Sequence, residues 1–239
     1  MQIIWRFLAA TAVLVFAFGA AAAMPGEKDF LAGNYAAALK AAKPAATTGD
    51  AGAQYLLGVM YAQGAGVPRN YAKAAKWYEA AARQGHVQAA FSLGFLYYGG
   101  AGNSPAEGAI AADPARAAPW LEQAAKAGNP DAAALVGELY RVGRGVPKDA
   151  AKAYAWLARA AEKGVARAQY QAALMLYYGR GVAADRIAAC KWFTILARRG
   201  YPGAAENLAR LERDMSAGDL ARVQALVRQW IPDPTRPAA

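Results

Sequence analysis

The residue types best suited to acid–base, nucleophilic or metal chemistry are sparse in this chain, which has one histidine, His86, and one cysteine, Cys190. A protein zinc site needs three or four ligands, so His86 alone predicts no metal centre. It follows Gly85 where a helix is expected to begin, and we expect an exposed helix-start residue. Cys190 lies inside a helical pattern beside Trp192, which favours a small buried hydrophobic residue over a reactive thiol.

Two short stretches resemble parts of catalytic or phosphate-binding motifs. Residues 90–94, AFSLG, are one glycine short of the Gly-x-Ser-x-Gly nucleophile elbow, and that motif needs a strand-to-helix turn where this stretch has a helical pattern. Residues 143–148, GRGVPK, lack the Gly-Lys-Ser/Thr ending that holds a phosphate and are interpreted as a helix stop. The acidic residues show no paired pattern. The sequence therefore predicts no catalytic residue, no metal and no cofactor.

The larger residues reveal an internal repeat. Residues 58–85, GVMYAQGAGVPRNYAKAAKWYEAAARQG, and residues 137–164, GELYRVGRGVPKDAAKAYAWLARAAEKG, share their glycines, a tyrosine, a Gly-x-Gly-Val-Pro loop and a tryptophan at one spacing. Opening glycines recur from Gly49 to Gly200 at intervals of 36, 43, 36 and 36 residues. Once the seven extra residues of the second unit are placed in its loop, one repeat position holds Trp77, Trp120, Trp156 and Trp192.

Each unit is predicted to contain two amphipathic helices, which we call helix A and helix B. Helix A stops at paired glycines, which tolerate the left-handed backbone of a helix end. Helix B begins after a side chain that accepts a hydrogen bond from a free backbone amide. The glycine pairs are Gly64/Gly66, Gly100/Gly102, Gly143/Gly145 and Gly179/Gly181, and the caps are Asn70, Asp113, Asp149 and Asp185.

A single helix pair cannot bury both of its faces, so the pairs must stack. Alanine and glycine columns allow close helix approach, and the tyrosine and tryptophan columns are expected to fill the space between pairs. The predicted fold is all-α, with about 12 helices in a right-handed α-α superhelix without strands. Replacing Trp156 by alanine is then expected to leave a buried void and to cost about 3–5 kcal/mol.

The first 23 residues have the pattern of a secretory signal. Arg6 closes a short basic region, residues 7–18 are almost wholly apolar, and residues 21–23 are alanines suited to cleavage. The apolar core is shorter than the roughly 20 residues that span a bilayer, which favours cleavage over a retained anchor. The mature chain would carry 26 Lys and Arg against 17 Asp and Glu. A basic exported chain predicts a periplasmic protein that could contact an anionic surface, with no nucleic-acid partner.

The predicted organisation follows from these patterns. It comprises a signal peptide (1–23), a degenerate N-terminal helical cap (24–48), four repeats (49–84, 85–127, 128–163, 164–199), C-terminal capping helices (200–230) and a proline-rich flexible tail (231–239).

One motif runs Ala-x-x-x-Leu-Gly-x-x-Tyr-x-x-Gly-x-Gly-Val-Pro-x-Asn/Asp, followed by a tryptophan and an Ala-Ala pair, and it resembles the Sel-one-like repeat, a relative of the tetratricopeptide repeat. The resemblance covers Gly49 to Arg199. Its departures are a missing proline in the second loop, Ala183 for proline, Leu176 for tyrosine and Leu196 in the Ala-Ala pair. Some cysteine-rich members are described as β-lactamase-like, but this chain has neither their cysteine pairs nor a Ser-x-x-Lys motif.

The resemblance implies a ligand groove on a concave surface lined by helix A. The side chains expected to form it are Tyr55, Phe91, Phe95, Tyr98, Arg141, Arg167, Tyr170 and Tyr177. Arg141 and Arg167 are expected to select an acidic or carboxylate-bearing segment. Exposed tyrosine and arginine are enriched in binding hot spots, although the same aromatics could instead pack between units.

The resemblance and the export pattern together predict a non-enzymatic periplasmic adaptor that binds a peptide or partner protein, such as an envelope complex or a sensor protein. The net positive charge leaves open a protein that binds a cell-envelope polymer or anionic lipid. A peptidoglycan-related enzyme would need a carboxylate pair that the pattern lacks.

We predict that the exported protein begins near Met24, because the small-residue site ends at Ala23. Mass-spectrometric mapping of the N-terminus after expression in a bacterial host measures this. Recovery of the intact Met1 form in the membrane fraction would contradict it and support a retained anchor.

Overall fold

The computed structural model describes residues 24–230, so the predicted signal peptide and proline-rich tail lie outside the described residues. Between these limits the chain is all-α, as predicted, with no strand and one short 3-10 turn at Pro105–Glu107. The twelve α-helices of this range are α1 (Glu27–Leu31), α2 (Tyr35–Thr47), α3 (Ala51–Gln63), α4 (Tyr71–Arg83), α5 (Val87–Gly99), α6 (Pro114–Lys126), α7 (Pro130–Val142), α8 (Ala150–Glu162), α9 (Ala166–Tyr178), α10 (Arg186–Arg198), α11 (Ala204–Glu212) and α12 (Ala217–Gln229).

The described chain divides into two compact units. The first runs to Leu96 and includes Ala101–Ile110, and the second contains Tyr97–Gly100 and the chain from Ala111 onward. Helices α1 to α4 and most of α5 belong to the first unit, and α6 to α12 belong to the second. Helices α3, α5, α7 and α9 are the predicted A helices of the four repeats, and α4, α6, α8 and α10 are the B helices.

The predicted caps of the B helices are confirmed. In each of α4, α6, α8 and α10, the side chain before the helix accepts a hydrogen bond from the backbone amide three residues later, at 2.8 to 3.1 Å. This bond satisfies one of the free amides of the first helical turn. Asn34 occupies the same place before α2 but makes no side-chain capping bond.

The predicted glycine stops are also confirmed. Gly64, Gly143 and Gly179 end their helices in the left-handed conformation. The second glycine of each loop has a different task, because it lies against the start of the preceding B helix. A β-carbon on Gly145 (φ 76°) would overlap the backbone of Pro114 and Ala115, and one on Gly181 (φ 74°) would overlap the backbone of Ala150.

Within a repeat, a glycine or alanine on helix A lets helix B approach closely. A β-carbon on Gly137 would lie 2.6 Å from the Leu157 side chain, and one on Gly58 would overlap the Tyr78 ring. The core of the first unit is accordingly rich in alanine and leucine: Ala38, Ala42, Ala46, Ala53, Leu56, Leu57 and Met60. In the second unit the largest fully buried side chains include Leu121, Leu139, Leu157, Phe193 and Leu196.

Two buried glutamines join a helix A to the end of the helix B before it. The side-chain amides of Gln54 and Gln169 donate to the carbonyls of Ala46 and Ala161, both at 3.1 Å. Each bond adds a second donor to a carbonyl in the last turn of a helix, which also accepts the backbone amide of the glycine that follows the helix.

A tyrosine on helix A and a cation on helix B face each other inside each of the first three repeats. The tyrosine–cation pairs are Tyr61 with Lys73 at 5.5 Å, Tyr97 with Arg116 at 4.1 Å and Tyr140 with Lys152 at 5.2 Å, measured from the ring centroid. In the fourth repeat both members change together, to Leu176 and Ala188. A cation over a tyrosine ring stabilises by about 0.5–1 kcal/mol at an exposed site.

The tryptophan column is less uniformly buried than predicted, which corrects the expectation for Trp156. Its ring is only half-buried, and the Arg159 guanidinium lies 4.8 Å from the ring centroid on the solvent side. Trp192 in the fourth repeat is 4% exposed, because Trp230 at the end of α12 packs edge-on against it at 5.6 Å.

We therefore expect Trp192→Ala to destabilise the protein by about 3–5 kcal/mol and Trp156→Ala by about 1–2 kcal/mol, since only the first leaves an enclosed void. Denaturant melts followed by circular dichroism give both values, with Trp156→Ala as the matched control. Equal losses in the two variants would contradict this ordering.

Candidate ligand-binding surface on the A helices

Apart from the first residue of each helix A, two helix A positions remain half-exposed in all four repeats, and we call these eight residues the helix A face. Their side chains are neither in the core nor free in solvent. In the first unit the face comprises Val59, Ala62 and Phe95, and in the second it comprises Tyr98, Glu138, Arg141, Leu174 and Tyr177.

In the first unit the helix A face carries an aromatic pair. The rings of Phe91 and Phe95 are 6.0 Å apart and tilted by 38°, one helical turn from each other on α5. Both are half-exposed. Phe91 lies one turn before the face residue Phe95, so the two rings offer one apolar contact surface.

Tyr55 is not part of this exposed surface, which corrects the sequence-based expectation. It is 8% exposed, packs on Tyr78 at 5.8 Å and stacks on the imidazole of His86 at 4.7 Å. Burial raises the pKa of Tyr55 to about 12. The place of this tyrosine is therefore in the interior of the first unit.

His86 is at the start of α5 as predicted, but it is half-buried rather than exposed. Its Nδ1 accepts a hydrogen bond from the Ala89 backbone amide at 3.2 Å, as a helix cap does. Burial lowers the pKa of His86 below its usual value. The ring therefore serves as a neutral cap and a stacking partner for Tyr55.

In the second unit, the charge of Arg141 is already engaged. Its guanidinium donates two hydrogen bonds to the Glu138 carboxylate, each 2.7 Å, one turn earlier on α7. Arg167, at the start of α9, is exposed and donates to the backbone carbonyl of Asp131 at 3.4 Å. The positive charge of Arg167 is therefore exposed to solvent, whereas the charge of Arg141 is balanced by the Glu138 carboxylate.

The two tyrosines predicted on α9 have different surroundings. Tyr170 is half-buried against Phe193 and Tyr201, and its hydroxyl accepts a hydrogen bond from Asn207 at 3.1 Å. Tyr177 packs on Tyr178, with the ring centroids 4.7 Å apart. Tyr170 therefore joins α9 to the chain that follows α10, whereas Tyr177 is available at the surface.

Four exposed residues at the ends of the A helices in the second unit lie outside the predicted ligand set of eight residues. Val142 and Tyr178 are 45% and 49% exposed. Arg144 and Arg180, each the middle residue of a Gly-Arg-Gly loop, lie 5.3 Å and 4.8 Å from the ring centroids of Tyr98 and Tyr178. The sequence did contain a signal for the two arginines, because the same loop position holds alanine in the first two repeats.

The described residues offer little for catalysis. No group of three or more His, Cys, Asp or Glu between residues 24 and 230 is arranged to hold a metal ion. Ser92 lies within α5 and faces the buried hydroxyls of Tyr55 and Tyr78, so it forms no nucleophile elbow. Cys190 is fully buried, as predicted, and burial raises the pKa of its thiol to about 11.

Comparison with known proteins identifies relatives of the repeat. The family model described as Sel1 repeat matches residues 51–86, 87–129, 130–165 and 166–201. A crystal structure of a protective antigen from uropathogenic Escherichia coli, described as displaying an SLR fold, is similar at 31% identity and a TM-score of 0.65, over 82% of this chain and 40% of the antigen. A Sel1 repeat protein from Oxalobacter formigenes is similar at 31% identity and a TM-score of 0.68, over 77% of this chain and 73% of that protein.

The chain thus spans less than half of the E. coli antigen. No curated protein matches it by sequence. In the part of the chain that the structure describes, no helix has the length and apolar character needed to cross a membrane.

Burial of Cys190 generates a direct test. With a pKa of about 11, roughly one thiol in a thousand is ionised at pH 8, and the side chain is enclosed. We expect dithionitrobenzoate to react at least about 100-fold more slowly with the native protein than with the protein in guanidinium chloride. The Cys190→Ala variant gives the background, and rapid reaction of the native protein would contradict the expectation.

Proposed function

The chain belongs to the Sel1 repeat family, and from that premise we propose that it is a non-enzymatic periplasmic adaptor that binds a polypeptide partner on its helix A face. Sel1 repeat proteins generally mediate interactions between proteins. The periplasmic location rests on the signal pattern of residues 1–23.

The observation that carries the proposal is the recurrence of half-exposed large side chains on the A helices. Phe91 and Phe95 form an apolar surface in the first unit, and Tyr98 and Tyr177 occupy one equivalent position in two repeats of the second unit. Exposed aromatic side chains lose little conformational entropy on binding and are enriched in interaction hot spots. Within each unit, separate shallow contacts suit an extended segment better than a small enclosed ligand.

The charges of the second unit support a specific polypeptide more than a uniform polyanion. Glu138 neutralises Arg141, and Asp131 lies beside the start of α9, where Arg167 is exposed. Pairing of Arg141 with Glu138 lowers the net positive charge that this part of the unit offers to a dense run of negative charge. Single acidic residues could still reach Arg167, as the sequence predicted.

A second candidate function, binding of a cell-envelope polymer or anionic lipid, is favoured by one observation. The described residues of the second unit contain 18 Lys and Arg against 11 Asp and Glu, whereas those of the first contain 7 against 5. Such an imbalance attracts anions over a range that salt screens. Binding that disappears between about 50 and 300 mM salt would favour this candidate over the adaptor.

The adaptor proposal predicts that Phe95→Ala and Tyr177→Ala each weaken partner binding by about 1 kcal/mol or more while leaving the melting curve nearly unchanged. The tagged protein retrieves partners from an envelope extract, and isothermal titration with the purified partner measures each variant. Tyr154→Ala removes a half-buried tyrosine from helix B and serves as the matched control.

Equal affinity in the parent and both helix A variants would overturn the placement of the site on the A helices. Loss of affinity accompanied by loss of fold would count the two residues as structural. Tyr170→Ala provides the reference for that second behaviour, because its ring and hydroxyl both have partners within the second unit.

A further inference from the structure

We propose that the second unit carries a binding edge for an acidic, extended polypeptide segment in which carboxylates alternate with apolar side chains. The edge is formed by five residues at the ends of the A helices: Tyr98, Val142, Arg144, Tyr178 and Arg180. This inference rests on the proposed function, since it gives the chemistry of the partner, but it names residues outside the ligand set predicted from sequence except for Tyr98.

The loop position that holds Arg144 and Arg180 has the same backbone hydrogen bond in the first, third and fourth repeats, whereas in the second repeat the amide of Ala101 donates to Ile110 instead. The backbone amides of residues 65, 144 and 180 each donate to the carbonyl five residues earlier, at 2.9 to 3.1 Å. In the first unit this position holds Ala65 and Ala101, which are 6% and 8% exposed, whereas both arginines are exposed. The arginines are therefore additions to a loop whose conformation does not need them.

The two guanidinium groups are positioned but not satisfied. Each guanidinium carbon lies over a tyrosine ring, 5.3 Å from the centroid for Arg144 and 4.8 Å for Arg180. The five N–H donors of a guanidinium point outward in its plane. Neither guanidinium makes a hydrogen bond or ion pair with another residue between 24 and 230, in contrast to that of Arg141.

Carboxylates match these donors well, because a guanidinium edge binds a carboxylate through two parallel hydrogen bonds. Contact with the tyrosine rings restricts the motion of each arginine side chain, so less conformational freedom is lost when a carboxylate binds. Each loop therefore presents one prepared carboxylate-binding group, and the two loops are one repeat apart.

An apolar residue accompanies each cation. Val142 and Tyr178 are the last residues of α7 and α9 and are 45% and 49% exposed. The equivalent residues of the first two repeats are Gln63 and Gly99. A cation and an apolar residue thus occur together in both later repeats. This arrangement fits an extended peptide in which every second residue, about 7 Å from the last, faces the protein and is acidic and apolar in turn. Glu138, one turn before Val142, balances the charge of Arg141, which reduces the attraction for a denser polyanion.

A defined peptide tests the inference with the processed protein as purified from expressing cells. The probe is a fluorescent dodecapeptide, Glu-Ser-Leu-Ser repeated three times, with two controls in which glutamine replaces glutamate or serine replaces leucine. Fluorescence anisotropy at about 150 mM salt limits long-range attraction. We expect the probe to bind about tenfold or more tightly than either control peptide, since each lacks one half of the pattern.

Arg144→Gln and Arg180→Gln are each expected to weaken probe binding by about three- to tenfold. Arg222→Gln, which removes one exposed charge from α12, is the matched control and should leave affinity unchanged. Circular dichroism melts of the two loop variants should stay within a few degrees of the parent, because each loses only a cation–π contact of about 0.5–1 kcal/mol, and Arg222→Gln should melt with the parent.

An equal loss in the Arg222→Gln variant would overturn the inference, since it would reduce the effect to net charge. Tighter binding of a heparin fragment or of phosphatidylglycerol vesicles than of the probe, sensitive to the same arginines, would also overturn it in favour of a polyanion. If the natural partner binds through Phe95 and Tyr177 while both arginine variants bind it like the parent, the inference fails and the adaptor function stands.

Discussion

The close approach of each loop's second glycine to the start of the preceding B helix sets the arrangement of the repeats within each unit. Any side chain at Gly145 or Gly181 would collide with backbone that cannot move aside, and the left-handed φ of both residues adds to the constraint. Because this contact fixes how one repeat meets the next, it also fixes which A-helix positions turn toward the core and which remain half-exposed. The aromatic and charged residues of the helix A face depend on it without touching it.

Much of this fold follows from local chemistry that sequence alone displays. Glycine at a helix end and asparagine or aspartate at a helix start have direct conformational causes, so helix boundaries in the repeats were predictable. Depth was not. The periodic tryptophan column placed Trp156 and Trp192 alike, yet the packing of Trp230 encloses only Trp192. Similarly, periodicity put Tyr55 on the same face as Phe91, but the imidazole of His86 covers it.

In the candidate site, too, some features follow from residue spacing and others depend on tertiary contacts. The pairing of Arg141 with Glu138 could have been inferred from their three-residue spacing on a helix. The placement of Arg144 over the Tyr98 ring depends on a contact between residues 46 positions apart. The exposure of Tyr177 depends on a side-chain direction that the repeat pattern leaves open. What the sequence did display was the change from Gly-Ala-Gly to Gly-Arg-Gly in the later repeats. A residue change between two retained glycines identifies a position where the side chain is able to vary.

Both members of each tyrosine–cation pair lie in the same repeat. In contrast, the second glycine of each loop and the hydrogen bonds from Gln54 and Gln169 connect one repeat to the helix B before it. In a nearest-neighbour description of repeat arrays, the first kind of contact sets the intrinsic stability of a repeat and the second sets the coupling between repeats. Replacement of the pair by Leu176 and Ala188 therefore alters the stability of the fourth repeat without weakening its coupling. That repeat can lose the pair and still unfold with its neighbours in one cooperative transition.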